Sequence, residues 1–251
     1  MDNLQDHSGS PTPAKTAPPA PFLWRRMASD GITVKVDRKL DYETISAAAM
    51  AIADSSGIGQ LTMRNLALRL DSGAMSIYRY VLHKDDLLDL IFDRVFAEIP
   101  TPAARVAYDW RRSLIEIAIA TRQVMLQHPW IATLFIRRPM LGPNYLRWQE
   151  SLLAATATSG RSIDAQSRII GSLWAYLSGY LIYEFGDFEM RRNEEPAAHS
   201  QQSAHLQEQL SSGKLPHLAK FLKSRPPTPS DAEFEFGLKA LLEGLAIARL
   251  A

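Results

Sequence analysis

The stretch Leu61-Thr62-Met63-Arg64-Asn65-Leu66-Ala67-Leu68-Arg69-Leu70-Asp71-Ser72-Gly73-Ala74-Met75-Ser76-Ile77-Tyr78-Arg79-Tyr80 decides the fold. Two short helical patterns meet in it across Asp71-Ser72-Gly73, residue types that suit a tight turn. Upstream, Ile45, Ala48, Ala49 and Ile52 recur at helical spacing, and downstream Leu87, Leu88, Ile91, Phe92, Val95 and Phe96 do the same. The pair is therefore flanked by two longer helices, and the spacing predicts a small four-helix unit.

Local chemistry sets the ends of these helices. The first should begin after Asp41, whose carboxylate can accept first-turn amides, and stop at Gly57. Thr62 plays the same capping role for the second, which should end near Leu70. A third, from about Gly73 to Tyr80, would turn Ile77 and Val81 inward against Leu66 and Leu70. Such a helix-turn-helix places its second helix in the major groove. On spacing alone the pair also fits a small helical domain that packs without DNA. In the groove-reading arrangement Ser72, Gly73, Ala74, Met75 and Ser76 approach the bases, with Tyr78, Arg79 and Tyr80 at the far end. Thr62 and Tyr78 can donate hydroxyl hydrogen bonds to phosphates, and Arg64 and Lys84 supply charge. Lys84 also opens the next helix, where free amides favour an anion.

The net charge of +1 hides an uneven distribution. From Phe22 to Lys84 nine basic residues stand against six acidic ones, so the positive excess sits with the helical pair. The chain has 251 residues, 46% of them hydrophobic and 22% charged, enough for a sizeable core. With no cysteine, disulfides, thiolate metal sites and cysteine nucleophiles are excluded. No apolar run approaches the roughly 18 residues of a membrane span. The first residues lack the pattern of a signal peptide, so a cytoplasmic protein without membrane association is expected. Gly-rich phosphate loops, Gly-x-Ser-x-Gly and His-Glu-x-x-His are missing, so no enzyme, cofactor or metal site is expected.

Residues 1–36, rich in proline and serine, read as a disordered tail. Beyond Pro100 the patterns are longer and still helical. One, from about Ala104 to Gln127, carries Trp110, Leu114, Ile117, Ala118, Thr121, Val124 and Met125 on one side. Pro143 opens another that runs to about Ser159. Asp164 caps a third, which runs through Leu173, Leu177 and Leu181 to about Phe185. Between Gly186 and Ser230 the rhythm fades except near His199–Leu210 and Pro216–Leu222, and the stretch reads as a long connection. Ser230 and Glu233 form a capping box for a last helix with Phe234, Leu238, Leu241, Leu242 and Leu245. Trp110, Trp130, Phe135, Trp148, Trp174 and Tyr180 supply aromatic surface of the kind that lines apolar ligand cavities, and His128 could add a hydrogen bond. Each of them also suits plain core packing. Glu184 would face solvent, pair with Arg191 or Arg192, or attract a cationic ligand.

Leu66-Ala67, then Gly73-Ala74-Met75-Ser76-Ile77-Tyr78-Arg79-Tyr80-Val81, then Lys84-Asp85-Asp86-Leu87-Leu88-Asp89-Leu90 resemble the TetR family of bacterial transcriptional regulators over residues 40–98. Asp109-Trp110-Arg111-Arg112, His128-Pro129-Trp130 and Phe234-Glu235-Phe236-Gly237-Leu238 resemble the C-terminal module of one subgroup. Family members usually carry glycine and then valine or threonine at the turn, where this chain has Asp71 and Ser72. Aspartate tolerates the left-handed conformation glycine serves there.

The resemblance implies an all-α chain. A DNA-binding domain at 37–98 would precede a helical domain for dimerisation and ligand binding at 99–251. It implies a homodimer, built through the last two long helices, that binds a near-palindromic operator as a repressor and is released by a small-molecule effector. The competing reading is an all-α ligand-binding protein without an operator, for which Asp71-Ser72 is the only hint.

Overall fold

A computed structural model describes residues 22–30, 40–100, 109–134, 141–193, 196–224 and 230–247. Every regular element among them is helical: α1 (Leu23–Asp30), α2 (Tyr42–Ser56), α3 (Met63–Arg69), α4 (Ala74–Ile77), α5 (Lys84–Glu98), α6 (Trp110–Leu126), α7 (Pro143–Ala157), α8 (Ile163–Asn193), α9 (Pro196–Ser211), α10 (Pro216–Ser224) and α11 (Asp231–Ile247). Short 3₁₀ turns cover Ile58–Gln60 and Pro129–Thr133.

Helix α1 corrects the expectation of an unbroken tail. It begins after the last proline of the tail and consists mainly of good helix formers, Leu-Trp-Arg-Arg-Met-Ala. Residues 1–35 form a unit separate from 36–251.

In the larger unit the caps expected at Asp41, Thr62 and Ser230 are present, whereas Asp164 lies inside the first turn of α8 and Ser162 caps that helix instead, its Oγ accepting from Ala165 N–H at 3.3 Å. Asp41 Oδ1 accepts from Thr44 N–H at 2.6 Å, and Thr62 Oγ1 accepts from Asn65 N–H at 3.1 Å. Gly57 ends α2 with φ of 84°, a conformation that favours glycine. Helices α2, α3 and α5 bury Ile45, Ala49, Ile52, Leu66, Leu87, Ile91 and Val95, and α4 adds Ile77. The apolar stripes read from spacing are thus the faces that meet.

The C-terminal helices bury most of the residues their periodicity marks, with Leu241 and Leu245 of α11 half-buried. All seven inward positions named for α6 are buried. In α8, Ile169, Leu173, Leu177 and Leu181 are buried, and in α11 Phe234, Leu238 and Leu242. The capping box forms reciprocally, with Ser230 N–H to Glu233 Oε2 and Glu233 N–H to Ser230 Oγ, both at 3.2 Å. Helix α8 runs past Gly186 to Asn193, longer than its polar C-terminal sequence suggested. Phe-Glu-Met-Arg-Arg beyond the glycine are competent helix formers, and one glycine costs only about 1 kcal/mol. The two helical pieces foreseen in the connection are α9 and α10.

Candidate nucleic-acid interface

The α3–α4 turn is built from main-chain bonds. Ser72 N–H reaches Ala67 O at 3.1 Å and Asp71 N–H reaches Leu68 O at 3.3 Å, satisfying the carbonyls that a helix end leaves open. The geometry needs a left-handed residue, and Asp71 supplies it with φ of 47°, the only positive value at a non-glycine position among the described residues. Aspartate thus holds a left-handed position of the kind its short polar side chain tolerates.

Helix α4 is shorter than its sequence pattern. Four residues are α-helical, and the chain then tightens: Tyr80 N–H bonds to Ile77 O at 2.9 Å. The tightening turns Tyr80 inward. It is buried, its hydroxyl donates to Leu40 O at 2.7 Å, and its ring meets Tyr42 edge-on at 5.4 Å. Tyr80 therefore leaves the set of surface residues expected to reach DNA and is a pillar of the small domain's core.

The other members of that set share one face. Thr62, Arg64, Gly73, Ala74, Met75, Tyr78, Arg79 and Lys84 are exposed, and Ser72 and Ser76 are half-buried. Lys84 is placed by Asp86, whose Oδ2 accepts from Leu82 N–H at 2.7 Å and ties the start of α5 to the preceding loop. An open concavity between α3 and α4 is lined by Met63, Arg64, Ala67, Leu68, Asp71, Ser72, Ala74 and Tyr78. Leu68 and Arg69, which also lie exposed here, were not marked by the sequence reading. The available signal was Leu68 falling outside the Leu66, Ala67, Leu70 stripe.

The aromatic residues expected as a ligand lining occupy several settings, with Trp148 and Trp174 in contact at 5.4 Å between ring centroids. His128 and Trp130 sit at a junction with the N-terminal helices. The ring of His128 lies between Asp54 Oδ1 of α2, 2.7 Å from Nδ1, and Glu98 Oε2 of α5, 3.1 Å from Nε2. Trp130 donates its indole N–H to the same Asp54 oxygen at 2.6 Å. Trp148 donates to Thr121 Oγ1 at 2.9 Å and packs on Trp174 and Phe96. Trp110 lies 5.0 Å below the Arg111 guanidinium. Phe135 lies outside the described residues. Beside Trp148 a cavity of about 30 Å³, reached by Phe96, Ile117 and Asn144, has room for about one water.

Tyr180 lies beside a charge cluster in which Arg122 and Glu184 are buried and Asp231 is exposed. The Arg122 side chain is 5% exposed and bonds Glu184 through Nε at 2.9 Å and Nη2 at 2.5 Å, and Asp231 through Nη1 at 2.8 Å. It lies 4.8 Å from the Phe234 ring and 5.7 Å from Tyr180. Burial opposes its charge, but the bonds from Glu184 and Asp231 outweigh that and hold its pKa above the ordinary guanidinium value. Glu184 thus pairs across the bundle with Arg122, a partner 62 positions away that spacing does not reveal.

A second polar clasp joins α5 to α7. Asp93 is buried, and Oδ1 accepts from Asn144 N–H at 3.0 Å and Tyr145 N–H at 2.9 Å while Oδ2 accepts from the Asn144 amide at 2.7 Å. Burial pushes its carboxyl above the ordinary value, against the pull of those donors. The approach is close enough that Gly142 has no space for a Cβ.

Comparison with known proteins places this architecture. The family described as "Tetracyclin repressor-like, C-terminal domain" matches residues 101–249. The HTH-type transcriptional repressor DrrR1 of Streptomyces coeruleorubidus is 31% identical over 211 residues, 83% of this chain and 78% of that one. The chain belongs to the TetR family. An HTH-type transcriptional regulator of Saccharopolyspora erythraea is 42% identical to this TetR-family chain over 121 residues, 48% of it and about half (51%) of that relative's length. The crystal structure of the Streptomyces coelicolor TetR family protein ActR in complex with actinorhodin matches with a TM-score of 0.68 and 27% identity, over 82% of this chain and 95% of that one. As a TetR-family member the protein is a helix-turn-helix transcriptional regulator and not an enzyme.

Proposed function

We propose that this TetR-family protein is a homodimeric repressor. It holds a near-palindromic operator through α3, α4 and the start of α5, and is released when a small molecule binds its C-terminal domain. The observation that carries the reading is the face around α4, where Arg64, Arg79 and Lys84 are exposed beside a short helix with small or apolar surface residues. None of the three is in an ion pair with another described residue, so their charge is available to phosphates. Thr62, Arg64, Tyr78 and Lys84 position the backbone, while Ser72, Gly73, Ala74, Met75 and Ser76 face the bases.

Dimerisation through α8 and α11 is supported by Ile163, Ile182 and Tyr183 on the first and Phe236 and Ile247 on the second, all exposed in the single chain. We assign residues 37–98 to DNA binding and 99–251 to dimerisation and effector binding. Ligand release is supported by ActR, whose structure holds actinorhodin. No described helix is long and apolar enough to cross a membrane, and a cytoplasmic location follows from the proposed operator.

Selection of bound duplexes from a random pool tests the reading. A two-fold symmetric consensus bound by a dimer is the expected result, with affinity falling steeply as salt rises. Enrichment of no sequence, with weak binding to every duplex, contradicts it.

A further inference from the structure

The surface of α4 carries none of the side chains that read base edges by paired hydrogen bonds. From Ser72 to Tyr78 the residues are Ser-Gly-Ala-Met-Ser-Ile-Tyr, without Arg, Lys, Asn, Gln, Asp or Glu. What the surface presents is apolar. Met75 is 78% exposed, Leu68 72% and Tyr78 41%. Met75 and Tyr78 are three residues apart and so share a face of the turn, while Tyr78 and Leu68 line the same open concavity. Exposed side chains of this size in one place mark a contact surface. Arg64, Arg69, Arg79 and Lys84 surround it, so the partner that fits is a polyanion with an apolar feature at its centre.

In a major groove the one prominent apolar group on a base edge is the 5-methyl of thymine. We infer that Met75, flanked by Leu68 and Tyr78, reads thymine methyl groups, so that van der Waals contact contributes to operator discrimination in each half-site. The inference depends on the DNA-binding reading above and adds the chemistry of recognition. It accounts for Gly73 and Ala74 beside the methionine, since small side chains let α4 approach closely enough for contact.

The test uses the 251-residue chain and the duplex selected from the random pool, with each thymine replaced in turn by deoxyuridine, which removes only the methyl. Replacement at one or two positions per half-site should weaken binding about fourfold each, the size expected for hiding one methyl group. Met75→Ala should bind the thymine duplex more weakly by a similar factor and no longer distinguish it from the deoxyuridine duplex at that position. Leu68→Ala should reduce the discrimination in the same direction. Both side chains are exposed, and circular dichroism should show both variants folded. Deoxyuridine without effect at every position, or discrimination undiminished in Met75→Ala and Leu68→Ala, overturns the inference and leaves the operator intact. Failure to enrich any duplex overturns the operator reading and the inference together.

Discussion

Replacing Asp93 by alanine removes the acceptor for three N–H groups, two of them main-chain donors in the first turn of α7. Those donors have no partner within their own helix, and Asp93 is buried at 4% exposure, so water recovers little of the loss. At about 1 kcal/mol for each bond, Asp93→Ala should cost about 3 kcal/mol, and Asp93→Asn, which keeps one acceptor oxygen, about half of that. Gly142→Ala attacks the same clasp from the other side. Its Cβ would stand 2.0 Å from Asp93 Oδ1 and 2.6 Å from Asp93 Cβ, so one of the helices must move. That should cost at least about 2 kcal/mol. Because both changes open one contact, the double variant should be less destabilised than the sum by about 1 kcal/mol or more. Urea denaturation followed by circular dichroism measures all four proteins. A loss under about 0.5 kcal/mol for Asp93→Ala, or strict additivity in the double variant, refutes the clasp.

Arg122→Met should destabilise by about 3 kcal/mol in the same assay, because Glu184 is left buried without its partner, and adding Glu184→Leu should recover much of it. Asp71→Gly should stabilise by up to about 1 kcal/mol by relieving the left-handed aspartate, which calorimetry would show as a melting temperature raised by about 2–4 °C. Tyr80→Phe should cost about 1 kcal/mol through loss of the hydroxyl bond to Leu40. Gel-shift titration of the folded variant should find operator affinity unchanged, since Tyr80 is core. A tenfold weaker complex would return it to the interface.

What was legible in the sequence was local. Asp41, Thr62 and the Ser230–Glu233 pair act on amides three residues away, so spacing alone exposed them. The stripe of α6 was equally plain because a helix repeats its inward face. Contacts between distant segments left no such trace. Arg122 meets residues 62 and 109 positions away, and His128 meets Asp54 across 74. That is why spacing points Glu184 to solvent or to nearby arginines and gives no sign of the bonds from His128 and Trp130 to Asp54. On the DNA-binding face, composition showed which side chains were present but not where the helix tightened. Of the three turn residues after Ile77, Tyr78 and Arg79 are exposed and Tyr80 is buried. Leu68 was legible only through its place outside the Leu66, Ala67, Leu70 stripe, a weak signal in a leucine-rich helix.

The central claim is that the face formed by α3, α4 and the start of α5 holds DNA. The salt dependence of affinity for the selected duplex, compared between wild type and Lys84→Ala, tests it most directly. The account predicts weaker binding by the variant to every duplex tried, with the slope of log affinity against log salt reduced by about 1. Unchanged affinity and an unchanged slope would contradict it.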